Sequence, residues 1–119
     1  MQKFLKYFCL QCILCIVYVQ YVDADSNVQF LNGAKLLEIC KDTKAVNQSA
    51  CEGYILGVQD AINAGHLSKH LNLCFPEGVS PKDLRLNLIN FIEVMPQTTN
   101  FSGESVVAKS LELHFKCKE

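Results

Sequence analysis

A surplus of charge of either sign is missing from this chain: 11 lysines and arginines stand against 12 aspartates and glutamates. That balance excludes the basic footprint of a nucleic-acid binder and the self-repelling composition of an acidic tail. A second long apolar run is missing too. Beyond the first two dozen residues no stretch approaches the roughly 20 apolar residues that span a bilayer. Internal repeats and low-complexity segments are absent, and the period-two alternation of strands is nearly so. There is no glycine-rich phosphate loop, because Gly53 and Gly57 fall inside a helical pattern. Ser49 and Ser102 lie in no nucleophile-elbow context. What is left is a short chain of 119 residues, enough for one domain.

The chain opens as a targeting segment would. Lys3 and Lys6 give a positive start, and an apolar stretch follows from Phe8 to Val22, broken by Gln11 and Gln20. Val22-Asp23-Ala24 offers small residues at the positions signal peptidase reads, so residues 1–24 are expected to be a signal peptide cleaved after Ala24. An uncleaved anchor is the competing reading. Cys9, Cys12 and Cys15 follow Phe, Gln and Leu, where a lipobox would need a small residue; they are expected to leave with the signal. Residues 25–119 then form the mature domain. Removing Lys3, Lys6 and Asp23 takes the net charge from −1 to −2.

Four cysteines remain, Cys40, Cys51, Cys74 and Cys117. In a small exported domain an even count reads as two disulfides. Three pairings are open. Cys40–Cys51 with Cys74–Cys117 is preferred, the first closing a short loop between adjacent helices and the second tying the terminus to the middle.

Four helical stretches stand out. The first runs from about Asn32 to Lys41, with Ala34, Leu37 and Cys40 on one face and Leu36 beside them. Asp42 to Gln48 reads as a polar connection. Ser49 and Glu52 form a capping-box pattern for a second helix, whose face carries Cys51, Tyr54, Ile55, Val58, Ala61 and Ile62. Gly53 and Gly57 lie four apart on one side of it. Each costs about 1 kcal/mol in a helix interior, which suggests close approach of a neighbouring helix or chain, with plain tolerance as the alternative. Ser80, Pro81 and Asp83 start a third helix, with Leu84, Leu88, Phe91, Ile92 and Met95 inward and Pro96 as its stop. Gln97 to Phe101 reads as a loop. The fourth helix, from about Gly103 to Phe115, turns Val107, Ala108, Leu111 and Phe115 inward, with Ser102 as cap. The expectation is an all-α, compact four-helix domain, with room for a fifth helix, and two disulfides.

Chemistry-bearing constellations are few. His66, His70 and Cys74 are spaced four apart, and His-x3-His is a zinc-ligand spacing. Gly65 and Asn72 argue that the helix ends there, and Cys74 has a structural use, so no metal and no cofactor is expected. A Cys/His nucleophile would need a reduced thiolate, which an oxidising compartment disfavours. Glu52 and Asp60 are eight apart on one helix, about 12 Å, too far for a retaining carboxylate pair. Tyr54 reads as a core aromatic with a bonded hydroxyl. Asn47-Gln48-Ser49 and Asn100-Phe101-Ser102 fit the glycosylation pattern only weakly.

The string Cys51-Glu52-Gly53-Tyr54-Ile55-Leu56-Gly57-Val58-Gln59-Asp60-Ala61 resembles the Cys-x-Gly-Tyr-Ile-x-Gly-Val-x-Asp-Ala core of the Tai/Rap family of immunity proteins. Cys74-Phe75-Pro76 before Val79-Ser80 resembles the family's Cys-x-Pro segment and helix start. Pro96, Ala108, Leu111 and the ending Phe115-Lys116-Cys117 resemble its terminal run, with Lys116 where the family usually has proline. The resemblance runs from about Leu36 to Cys117. It implies a periplasmic, helical, disulfide-bonded protein, often a homodimer, without catalytic activity. Such proteins bind a cognate peptidoglycan amidase delivered by type VI secretion and block its cleft. Partner contacts are then expected from the loop around His66 to Asn72, with His66, Lys69 and His70, and from Gln97, Thr98, Asn100 and Phe101. Phe101 is either a partner anchor or tucked against the fourth helix. A small helical periplasmic chaperone or ligand carrier is the alternative, and needs an apolar groove or pocket. No nucleic-acid partner and no membrane association of the mature form are expected.

Overall fold

The structure is a computed structural model and describes residues 31–67 and 71–118. The expected signal peptide, the residues up to Phe30, and Lys69 and His70 lie outside the described residues. Four α-helices follow in chain order: α1 Gly33–Lys41, α2 Ala45–Asn63, α3 Pro81–Val94 and α4 Gly103–Phe115, with a 3-10 turn Pro96–Asn100 between the last two. They pack as an all-α bundle. The only β pairing among the described residues is two isolated bridges, Asn32 with Ser102 and Leu73 with Lys116.

Each helix starts for a local reason. The Asn32 side chain accepts the Lys35 N–H at 2.9 Å and caps α1. Ser80 and Asp83 exchange bonds in a full capping box at α3, with Pro81 in the first turn. The Ser102 hydroxyl accepts the Ser105 N–H at the start of α4. The second helix departs from expectation. It begins at Ala45, four residues before Ser49, and no side chain caps it. Asp42 organises the entry instead, accepting from the Lys44 N–H and the Asn47 amide, both at 2.7 Å. With Ser49 already inside an exposed turn, Glu52 is released from capping and reaches Arg85.

The core is a single cluster in which Leu36, Ile55, Ile62, Leu88, Ile92, Val106 and Val107 are essentially fully buried. Burying each such side chain is worth about 2 kcal/mol against leaving it exposed. Two stripes are rotated from expectation. On α1 the inward residues are Gly33, Leu36 and Cys40, while Ala34 is exposed and Leu37 half-buried. On α4 Val106 and Ser110 turn inward with Val107, Leu111 and Phe115, and Ala108 sits at the edge. Close approach sets both faces. A Cβ on Gly33 would fall 2.9 Å from the Thr99 Cα, and one on Gly103 would fall 2.7 Å from the Leu31 carbonyl.

Gly53 and Gly57 serve no such approach between the helices of this chain: a Cβ at either would meet nothing within 4 Å. Both lie on the exposed side of α2.

Two disulfides tie the bundle, Cys40–Cys51 and Cys74–Cys117. The first joins α1 to α2 inside the core, where both residues are fully buried. Arg85 from α3 closes over it. Its Nη1 donates to the Cys40 carbonyl and its Nε to Glu52 Oε1, both at 3.0 Å. The second fastens the segment before α3 to the end of α4. The Cys74 N–H donates to the Phe115 carbonyl and the Cys117 N–H to that of Asn72. Phe75 stacks at a tilt on Phe115, with ring centroids 4.8 Å apart.

Candidate functional site

The exposed parts that could receive a partner lie at two connections and along one helix face. The first connection leaves α2. The Gly65 N–H donates to the Ile62 carbonyl and the His66 N–H to that of Ala61, with Gly65 at φ +76°. This is a Schellman ending, which needs the left-handed conformation glycine adopts freely. The helix therefore stops at Asn63, and His66 emerges exposed outside its register. The four-residue spacing of His66, His70 and Cys74 then has no continuous helix to align it. Cys74 is also committed to its disulfide. Among the described residues no cluster of three candidate ligands could hold a metal ion.

The second connection follows α3. Pro96 stops the helix, but the residues after it form an ordered 3-10 turn rather than a loop. Thr98 is buried, and its hydroxyl donates to the Met95 carbonyl at 2.7 Å. Thr98 thus braces the turn from within, and little of its side chain is left at the surface. The hydroxyl of Thr99 donates to the Pro96 carbonyl in the same way. The Gly33 N–H donates to the Phe101 carbonyl and fastens the turn to α1. Gln97 and Asn100 are exposed on this platform. Phe101 is 56% exposed, so the ring is offered to solvent and not tucked away. A large apolar side chain on a rigid turn is the kind of anchor that fills a partner pocket at little conformational cost.

Between the first connection and the outer face of α4 runs an open groove of about 430 Å³. Leu67 and Leu71 form one side; Glu104, Ser105, Ala108, Lys109, Glu112 and Lys116 form the other. The Lys109 ammonium lies 2.8 Å from Glu112, and that hydrogen bond holds the Glu112 carboxyl below the usual carboxylate range. Close to the other end, burial and then the Glu104 charge push the Tyr54 phenol upward. Tyr54 is half-buried, and its hydroxyl would lie 3.0 Å from a Cβ on Gly103.

Of the expected contact residues, His66, Gln97, Asn100 and Phe101 are exposed. The groove itself was not anticipated from sequence. Its trace there is the i, i+4 series Glu104, Ala108, Glu112 and Lys116, of which only Ala108 was expected to turn inward.

All four cysteines of the domain are bonded, and Glu52 is paired with Arg85. A family model described as Rap1a immunity proteins matches residues 32–117. No curated protein and no solved structure matches the chain.

Proposed function

From the premise that the chain belongs to the Rap1a immunity proteins, we propose that it blocks a cognate peptidoglycan amidase by seating its exposed connections against the enzyme's cleft. The coarser role follows from membership: it is an immunity protein of type VI secretion, an amidase inhibitor and not an enzyme. Its compartment is the periplasm, where the amidase effector is met. Cleavage of the leader after Ala24 is part of the proposal, as is a homodimeric form.

The observation that carries the reading is the family match, which spans nearly the whole described domain. The geometry supports it. Phe101 with Gln97 and Asn100 on the braced turn, and His66 after α2, are exposed side chains on backbone that is hydrogen-bonded in place. Lys69 and His70 belong to the proposed contact set by their place in the chain. A chaperone or carrier would favour an apolar groove or closed pocket. The groove along α4 is open and edged by Glu104, Lys109, Glu112 and Lys116, which favours a polar protein partner.

The test is direct. Mature protein should bind its amidase and inhibit peptidoglycan hydrolysis, and its expression should protect cells in which that amidase is sent to the periplasm. Replacing Phe101 with Ala should weaken binding by roughly tenfold or more if the ring is an anchor. Absence of binding and of protection against every amidase encoded beside its gene would sink the reading.

A further inference from the structure

We infer that the groove along α4 receives an extended segment of the amidase about five or six residues long, with a basic side chain at one end, a small apolar one in the middle and an acidic one at the other end. This rests on the blocking role proposed above and adds which part of the partner is gripped and in which direction it lies.

The length comes from the helix. Glu104, Ala108, Glu112 and Lys116 follow at steps of four along one face. From Glu104 to Lys116 the helix rises about 18 Å, at 1.5 Å per residue. An extended chain at about 3.3 Å per residue covers that with five or six residues and turns alternate side chains inward.

The polarity comes from the charges. Glu104 stands at the start of α4 and Lys116 just past its end. Between them Lys109 and Glu112 neutralise each other. Neither Glu104 nor Lys116 takes part in an ion pair among the described residues. Among the described residues the groove therefore presents an unpaired carboxylate at one end, and at the other an ammonium whose charge also reaches Glu112. The middle is apolar, with Ala108 below and the 38% exposed Leu67 beside it. Complementary charges at two ends of an apolar floor fix direction and register more than they add affinity.

The wall is held in advance. The pairing of Leu73 with Lys116, the Cys74 N–H bond to the Phe115 carbonyl and the Cys74–Cys117 disulfide fasten the chain just after Leu71 to the end of α4. An occupant thus meets the Leu71 side of the groove already fastened.

Four variants at exposed positions test this against the amidase that the wild-type chain binds, by calorimetry with thermal midpoints measured alongside. Glu104→Lys and Lys116→Glu should each weaken binding about threefold to tenfold, and Leu67→Asp about tenfold. The double reversal carries the wild-type net charge. It should bind worse than either single variant, because it turns the polarity around. Recovery of wild-type affinity in the double reversal would reduce the effect to overall charge and overturn the inference. So would wild-type affinity in Leu67→Asp, or a change in sedimentation rather than in amidase binding, which would make a second copy the occupant. If the wild-type chain bound no amidase, the blocking role itself would fall. If it bound and all four variants matched it, only the groove assignment would fall.

Discussion

Cys40–Cys51 bridges 11 residues of sequence and lies wholly inside the core, whereas Cys74–Cys117 bridges 43 and has its first residue exposed and its second half-exposed. Around the first bond, three helices converge and a guanidinium seals the Cys40 carbonyl. Around the second, backbone bonds and one aromatic contact hold an irregular segment to a helix end. One end of the molecule is stabilised by packing that a disulfide reinforces. The other packs Leu71, Leu73, Phe75 and Val79 only partly buried against the core, and the covalent bond fastens that irregular segment. The expected contact residue His66 and the groove fall on the second end.

The largest expected effect separates the two bonds. Loop-closure entropy alone makes the longer bridge worth about 4 kcal/mol and the shorter about 3 kcal/mol. Cys74→Ala with Cys117→Ala should therefore lower unfolding free energy more than Cys40→Ala with Cys51→Ala, in denaturant titrations of each pair. The opposite order would mean that packing around the sealed sulfurs outweighs chain entropy. Alkylation and mass spectrometry after graded dithiol treatment sharpen the same comparison. Cys74 and Cys117 should be labelled while Cys40 and Cys51 remain bonded.

Arg85→Met comes next. It leaves the Cys40 carbonyl and Glu52 without their donor, and the Glu52 side chain is 24% exposed and can rehydrate. A loss of about 2–3 kcal/mol is expected by denaturation. It should fall on the sealed end, leaving alkylation of the outer bond unchanged.

Two glycines then test packing against open surface. Gly103→Ala pushes a methyl into the Leu31 carbonyl and the Tyr54 hydroxyl, for a loss of about 2 kcal/mol. Gly57→Ala meets nothing and should raise stability by up to about 1 kcal/mol, because alanine is the better helix former. Matching thermal shifts of opposite sign would confirm the contrast. A loss at Gly57 would break it.

The smallest effect is a pH dependence at caps. Bonds from the Ser80 hydroxyl and the Ser80 N–H hold the Asp83 carboxyl below its ordinary value, and the Lys44 N–H and Asn47 do so for Asp42. A depressed folded pKa means stability that is present above the unfolded value, near 3.8, and is lost as pH falls through the folded one. Asp83→Asn should flatten stability against pH below about 4 and lower the neutral-pH midpoint by the same small amount.

Much of the fold was legible because local signals coincided. Ser80-Pro81 with Asp83, the stop at Pro96, and Ser102-Gly103 each place a boundary through bonds made within a few residues. The start of α2 was misplaced for an equally physical reason. Ser49 and Glu52 fit a capping box, but seven residues earlier Asp42 organises the entry by accepting from the Lys44 N–H and the Asn47 side-chain amide, and Arg85, 33 residues on, takes the carboxylate. Thr98 read as a contact residue because threonine in a polar stretch resembles a loop. Its burial depends on α1 packing across the turn.

By itself the sequence determined the number of helices, most of their ends and the block from Cys51 to Ala61 that resembles the immunity proteins. Those features rest on caps, breakers and the 3.6-residue period, all short-range. Which stripe of α1 and α4 faces inward, which residues are close enough to demand Gly33 and Gly103, and where a groove opens were decided by the tertiary structure alone. Each depends on atoms far apart in the chain meeting at van der Waals distance, and no local pattern encodes that distance.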